Sequence, residues 1–426
     1  MPPSPTHRRF VSLSVPVLLS LIAEPLTALV DTAWVARLGA APLAALGVGT
    51  MILSSVFWIV NFLGIGTQTR VAASFGADDD EQVPIDVSTA LAIGLALGTL
   101  LALIGPILSP WLADLMQAEG DLRDAAVNYM QVRWLGAPAL VATLIAFGAL
   151  RGRQEMKRPM YVALLVNLIN LGLDPLLMFG AGPIPAFGLT GAAWATVAAQ
   201  YVGAVVVTIP VLRSIGGWRW PHLHAALTLI TVGRDLIIRT AALSLFLVLA
   251  TREATALGAV PGAAHQAIRQ VWMFTALFLD AFAITGQSLA GYELGRSARQ
   301  HLRAVDHMTL QWSIGTGVAL AVIMWLGTPF FTALLVPPEA HEAFLAVWWI
   351  AAIGQPLNAI TFGTDGLLWA RSAFGFLRNI VVSATVLSGA WLLTVTSLNA
   401  IWGLTVLWIA IRAAGGLWGV FGRSTN

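Results

Sequence analysis

Carboxyl and amide side chains inside long apolar stretches are the groups of this sequence that could do chemistry. Glu24 and Asp31 are separated by about two helical turns in the first stretch, so both point the same way along a helix. Asn167, Asn170 and Asp174 follow at i, i+3 and i+7 and share one stripe of a later stretch. Burial favours the neutral form of a carboxyl group, so such groups could bind and release a proton. Their oxygens also suit a hard cation.

Prolines accompany these groups on the same segments. Pro175 cannot donate to the carbonyl of Leu171, and Pro16 and Pro25 weaken the helix around Glu24. We therefore expect Pro16 and Pro175 to bend their helices. For Asp31 and Asp174 we favour a proton or cation site, whereas Asn167 and Asn170 could equally bind helices to one another.

The composition decides what kind of element carries these groups. Of 426 residues, 58% are hydrophobic and 10% are charged, and the mean hydropathy is +0.80. A soluble domain has about 25% charged residues, so the chain is an integral membrane protein. A net charge of +2 without a basic run gives no reason to expect nucleic-acid binding, and the lack of cysteine excludes thiolate chemistry and Cys-type metal sites. We expect no metal and no cofactor.

The apolar stretches predict an all-α, multi-pass protein with twelve transmembrane helices. We expect the first stretch to be retained, because no convincing cleavage site follows it. With both termini in the cytoplasm, most of the 23 basic residues lie on the cytoplasmic side of the cell inner (plasma) membrane. The predicted segments are 10–36, 42–70, 87–114, 124–150, 158–180, 186–212, 228–251, 260–291, 307–335, 342–370, 374–397 and 400–422.

An internal repeat divides the chain into halves. Residues 38–76 align with 257–295 without a gap and share several Gly, Ala and Pro positions, and a weaker match follows nearly in register. The pairs in that second block are Gly136 with Gly354, Pro138 with Pro356, Gly148 with Gly366, and Leu150 with Leu368. We expect two pseudo-symmetric six-helix lobes, 1–213 and 214–426, related by an axis along the membrane normal and arranged around a central cleft.

The second half has its own ionisable groups at bilayer depth, Arg269, Asp280 and Asp365. In the repeat alignment Asp31 falls on Ala250, so we expect the ion site to lie in the first half. Arg269 could neutralise an acid on a neighbouring helix, which we favour, or meet an anionic group of a substrate.

The sequence resembles the multidrug and toxic compound extrusion (MATE) family, specifically its DinF-like branch. The resemblance rests on residues 24–49, 149–159, 167–177, 188–200 and 263–295 taken together. It implies twelve helices in two lobes and outward export of organic compounds driven by proton or sodium entry. It also implies that Asp31 takes part in coupling, that Asn170, Asp174, Thr196 and Tyr129 match polar residues of this branch, and that Pro16 matches a proline linked to bending.

Together these features predict a proton-coupled antiporter that exports small amphiphilic organic compounds, a monomer and not an enzyme. Asp31, Asp174 and Asn170 are the expected coupling residues, with Glu24, Asn167, Thr196 and Tyr129 as supporting polar groups of the cavity. Sodium coupling stays open. A flippase for lipid-linked precursors would need several cavity-facing arginines, of which only Arg269 is clear, and an intramembrane enzyme would need a partner for His265.

Overall fold

The computed structural model describes residues 6–422, so the outermost ends of the two expected lobes, 1–5 and 423–426, lie outside the described residues. Apart from one isolated bridge between Ala181 and Ile184, the described chain forms helices, turns and loops. The α-helices are α1 His7–Ala36, α2 Ala40–Val60, α3 Phe62–Gly76, α4 Gln82–Leu115, α5 Gly120–Trp134, α6 Ala137–Gly152, α7 Lys157–Phe179, α8 Leu189–Ser214, α9 Leu223–Ala256, α10 Ala259–Gly295, α11 Arg299–Leu326, α12 Thr328–Leu335, α13 His341–Ala370, α14 Phe374–Leu392 and α15 Leu398–Leu417.

The prediction of an all-helical membrane protein is confirmed, and each predicted segment corresponds to one helix or to two consecutive helices. Within residues 6–422, ten helical stretches are long and apolar enough to cross a membrane, or eleven if the bent pair α5 and α6 is one span. The remaining predicted segment is α9. Helix α9 is not counted among these apolar stretches because charged side chains lie near both ends of its apolar part: Arg234, Asp235, Arg239, Arg252 and Glu253.

Three segments predicted as continuous helices are broken. Segment 42–70 forms α2 and α3 on either side of Asn61. Segment 124–150 forms α5 and α6, which meet at a bend of 48°, and segment 307–335 forms α11 and α12. Pro138 and Pro329 lie in the first turns of α6 and α12. A proline has no N–H for the carbonyl four residues earlier, so it is tolerated at a helix start and interrupts a longer helix. Pro16 and Pro175, by contrast, lie inside uninterrupted helices.

The chain divides into two compact units. Residues 15–233 form the unit called here the N-unit, and the residues up to Ser14 together with those from Arg234 onward form the C-unit. Each has its own apolar core of buried aliphatic and aromatic side chains. Within the C-unit, Phe10 of α1 stacks on Phe282 of α10, and Ser14 Oγ donates to Thr285 Oγ1 at 3.1 Å.

The two units reproduce the internal repeat in their helix packing. In the N-unit, a Cβ placed on Gly148 of α6 would lie 2.4 Å from the carbonyl oxygen of Gly64 on α3. In the C-unit, a Cβ on Gly366 of α13 would lie 2.1 Å from the carbonyl oxygen of Ala283 on α10. The sequence repeat aligns Gly64 with Ala283 and Gly148 with Gly366. The same close helix crossing, which only a residue without a side chain permits, is therefore present in both halves.

Candidate functional site

Asp174 is the centre of a polar cluster within the N-unit. It lies on α7 with a side chain that is 0% exposed, and Asn170, one turn earlier, is also buried. The Asn170 amide donates to Asp174 Oδ1 at 3.3 Å and to Thr196 Oγ1 of α8 at the same distance. The expected grouping of Asn170, Asp174 and Thr196 is thus present in the structure.

Asp31 of α1 meets Asp174. Its side chain is half-buried, and the two carboxyl groups lie within hydrogen-bonding reach of each other. Asp31 Oδ1 and Asp174 Oδ2 are both buried, and neither accepts a hydrogen bond from any residue between 6 and 422. Two carboxylates in such contact repel each other in a medium of low dielectric constant, whereas a proton placed between them forms a hydrogen bond.

Arg133 is a member of the cluster that the sequence interpretation missed. It lies in the last turn of α5, is half-buried, and its charge acts on Glu24, Asp31, Tyr129 and Asp174. Its guanidinium also donates to Gln200 Oε1 of α8 at 3.2 Å. The signal in the sequence was a basic residue inside the predicted segment 124–150, but most of its partners come from three other helices, α1, α7 and α8, and cannot be identified from spacing.

The supporting residues differ in how close they come to the carboxyl pair. Tyr129 is buried and joins the cluster through Arg133. Glu24 is exposed on α1 and interacts with the charge of Arg133. Asn167 is half-buried on α7, one turn before Asn170, and the hydrogen bonds found among the described residues around Asp174 do not include it.

The three ionisable residues singled out in the second half do not come together as a site. Arg269 Nε donates to Gln266 Oε1 at 3.2 Å, so its contact is on its own helix, where we had favoured an acid on a neighbouring helix. Asp280 is half-buried on α10. Asp365 is buried on α13 and forms ion pairs with Arg239 of α9 and Arg412 of α15. Those two arginines were not identified from the sequence.

The chemistry open to the N-unit cluster follows from its hydrogen-bonding groups. Within the described residues no group of three or more His, Asp or Glu side chains is placed to hold a metal ion. The carboxyl pair, the amide of Asn170 and the guanidinium of Arg133 instead form a set of hydrogen-bonding groups in which one carboxyl proton would satisfy two buried oxygens.

Comparison with known proteins gives matches along almost the whole chain. A family model described as MatE matches residues 16–176. Protein DETOXIFICATION 44, chloroplastic, of Arabidopsis thaliana is 32% identical over 434 residues, which cover 96% of this chain and 81% of that protein. DNA damage-inducible protein F of Escherichia coli (strain K12) is 28% identical over 420 residues, covering 94% of this chain and 89% of that protein.

The fold also matches solved structures. One is described as the outward-facing conformation of a multidrug resistance MATE family transporter of the MOP superfamily. It superposes with a TM-score of 0.86 at 21% sequence identity and covers 99% of this chain and 97% of that one.

Proposed function

The chain belongs to the MATE family of multidrug and toxic compound efflux transporters, and on this premise we propose that it is a proton-coupled antiporter for small amphiphilic organic compounds. It acts as a monomer in the cell inner membrane with both termini in the cytoplasm. The observation that carries the coupling assignment is the contact between Asp31 and Asp174 with two buried, unbonded carboxyl oxygens.

The contact supports a site that holds one proton between two carboxyl groups. With both groups ionised, the site keeps two negative charges side by side where water does not screen them, and Asp174 is fully buried. With one proton bound, one oxygen donates to the other and the repulsion is removed. Half-buried Asp31 is the more accessible member of the pair, while Asp174 and Asn170 are buried.

Proton entry supplies enough free energy for export. One proton moving inward releases about 2.3 kcal/mol per 100 mV of membrane potential and about 1.4 kcal/mol per unit of pH difference. Since about 1.4 kcal/mol corresponds to a tenfold ratio of concentrations, one proton can sustain an outward gradient of at least tenfold. Rocking of the two six-helix lobes would expose the carboxyl pair and the substrate alternately to the two sides of the membrane.

Arg133 favours a proton over a sodium ion at this site. The guanidinium already supplies one fixed positive charge to Asp31 and Asp174. A hydrated metal cation would have to enter beside that charge and exchange its water for carboxylate oxygens, whereas a proton forms a short covalent bond with one oxygen. Sodium-coupled efflux is the alternative that the test below separates.

Reconstituted protein tests this assignment. We expect wild-type proteoliposomes to expel rhodamine 6G when a pH gradient alone is imposed, and a sodium gradient alone to be without effect. Asp31→Asn and Asp174→Asn should each lower pH-driven efflux at least tenfold, because an amide cannot take up the proton. Asp124→Asn is the matched control, since that carboxylate is 74% exposed on α5.

The variants also give results that would contradict the assignment. Undiminished pH-driven efflux by Asp31→Asn removes the carboxyl pair from the mechanism. Efflux driven by sodium in the absence of a pH gradient overturns proton coupling in favour of the sodium alternative. Because Asp31 is only half-buried, its variant decides the question even where Asp174→Asn fails to fold, and thermal melting of each purified variant checks that the comparison is between folded proteins.

A further inference from the structure

The C-unit contains a buried group of charges with more positive than negative members. Arg239 of α9 and Arg412 of α15 both pair with Asp365 of α13, and the three residues are 8%, 6% and 5% exposed. Two guanidinium groups remain charged at every physiological pH, and one carboxylate neutralises one of them. We call these three residues the arginine cluster.

The hydrogen bonds of the arginine cluster leave donors unused. Arg239 and Arg412 both donate to the same oxygen, Asp365 Oδ2. The Nε–H groups of both arginines are buried and have no acceptor among the residues that the structure describes. A guanidinium group has five N–H donors in a fixed fork, suited to two oxygens of one carboxylate or phosphate. The cluster therefore lacks acceptor oxygens, and an anion with two or three oxygens would supply them.

The nearest carboxylate on α9 cannot fill this deficit. Asp235 lies one turn before Arg239, but it already pairs with Arg234 at 2.9 Å and with Arg378 of α14 at 2.6 Å. This second group repeats the ratio of two arginines to one aspartate. The excess of positive charge is thus shared by neighbouring turns of the same helix.

Two tryptophans hold the arginines of the cluster in position. The guanidinium of Arg239 lies 5.5 Å from the ring centre of Trp369, and that of Arg412 lies 4.5 Å from the ring centre of Trp408. Phe246 stacks on Trp408 with 4.4 Å between ring centres. Stacking fixes the planes of the guanidinium groups, and Phe246 and Trp408 are themselves buried in the apolar core. The arginines are therefore held in fixed positions within apolar surroundings.

The arginine cluster lies near helix ends that are expected to face the cytoplasm, the side from which an exporter takes up its substrate. Asp365 lies five residues before the end of α13 at Ala370, and Arg412 lies five residues before the end of α15 at Leu417. At 1.5 Å per residue this is about 7.5 Å from the helix ends. The orientation expected from the basic residues directs both of these ends toward the cytoplasm.

We propose that Arg239 and Arg412 bind the carboxylate or phosphate group of an amphiphilic substrate, and that Asp365 is the internal anion occupying them when no substrate is bound. This deepens, and rests on, the proposed export function, because it names a class of cargo, organic anions, in addition to cations such as rhodamine 6G. Asp365 competes with the substrate anion, so its removal strengthens anion binding while the loss of either arginine weakens it.

Binding by the purified full-length protein in dodecyl maltoside tests the proposal without any ion gradient. The probes are carboxyfluorescein and rhodamine 6G, which share a xanthene ring system and differ in charge, and the readout is fluorescence anisotropy. We expect Arg412→Gln and Arg239→Gln to lower the ratio of carboxyfluorescein to rhodamine 6G affinity at least tenfold. Asp365→Asn should raise that ratio about threefold or more. Arg252→Gln is the matched control on α9, where the side chain is 69% exposed.

A second measurement applies if the arginine variants do not fold. Asp365→Asn leaves two buried guanidinium groups without a carboxylate, which lowers its melting temperature, and carboxyfluorescein should restore that temperature more than rhodamine 6G does. Competition by inorganic phosphate but not by phosphatidylglycerol in mixed micelles indicates a soluble anion, and the reverse indicates a lipid headgroup as the source of the same chemistry.

Three results would overturn the proposal: no binding of carboxyfluorescein by the wild type, an unchanged affinity ratio in folded arginine variants, or weaker anion binding by Asp365→Asn. Each differs from a failure of the proposed function, which is the absence of pH-driven efflux from wild-type proteoliposomes. That assay reports on the carboxyl pair of the N-unit, and the binding assay reports on the arginine cluster.

Discussion

Replacing Gly366 by alanine tests how closely α10 and α13 must approach. The new Cβ would lie 2.1 Å from the carbonyl oxygen of Ala283 and 2.7 Å from its carbonyl carbon, whereas ordinary contacts begin at 3.4 Å. The obstructing atoms belong to the backbone, so no rotamer change relieves the overlap, and the two helices must separate by about an ångström. Overpacking of this kind costs about 1–3 kcal/mol.

The expected readout is the melting temperature of the purified protein in detergent. For a unit of 150–250 residues, about 2–4 °C is lost per kcal/mol, so we expect Gly366→Ala to melt about 2–12 °C below the wild type. Gly148→Ala should behave similarly, since its Cβ would lie 2.4 Å from the carbonyl oxygen of Gly64.

A matched control separates packing from the general effect of the substitution. Gly315 lies inside α11 of the C-unit and has nothing within 4 Å of an added Cβ. Alanine is favoured over glycine in a helix interior by about 0.5–1 kcal/mol, so Gly315→Ala should melt at or above the wild-type temperature. The reasoning is refuted if Gly366→Ala and Gly315→Ala melt alike.

Three further predictions concern the charged sites. Arg133→Gln should alter the pH profile of rhodamine 6G efflux, because it removes the positive charge that acts on Asp31 and Asp174, and an unmoved profile contradicts this. Asn170→Ala should lower pH-driven efflux severalfold, since Asp174 loses its amide donor, and equal rates in a transport assay would contradict that role. Carboxyfluorescein efflux should be faster under an inside-negative potassium diffusion potential, which adds about 2.3 kcal/mol of driving force per charge per 100 mV. Stopped-flow dequenching measures the rate, and a rate that does not depend on the potential argues against an anionic cargo.

The fold could be predicted from the sequence because lipid permits few alternatives. Long apolar stretches must form helices, and their number follows from their length. The repeat was also visible, because glycine and proline positions survive where a backbone must pass close to its neighbour, as at Gly148 and Gly366. The breaks before Pro138 and Pro329 were missed because the segments were drawn from hydropathy, which does not depend on whether a residue has a backbone N–H to donate.

The candidate site was predicted in part for a related reason. Ionisable groups at bilayer depth are few and costly, so Asp31 and Asp174 could be identified without knowledge of their neighbours. Their partner Arg133 and the partners of Asp365 come from other helices, and the sequence contains no spacing that joins them. Arg269 donates to Gln266 on its own helix, and its pairing with an acid on a neighbouring helix stays a prediction.

The two units have kept one packing scheme and acquired opposite charge chemistry. Equivalent glycines cross equivalent carbonyls in both, yet the N-unit holds two carboxyl groups in contact beside one arginine, and the C-unit holds two buried arginines on one carboxylate. A proton and an anionic substrate would then occupy separate sites and would not displace each other directly. Coupling must in that case act through the conformation that exposes each site, so that proton binding changes which side of the membrane the loaded substrate can reach. Duplication allows the two sites to differ in charge. Because each unit has its own copy of the helix crossings, the charged residues of one unit can change while the packing that supports the site of the other unit is unaltered.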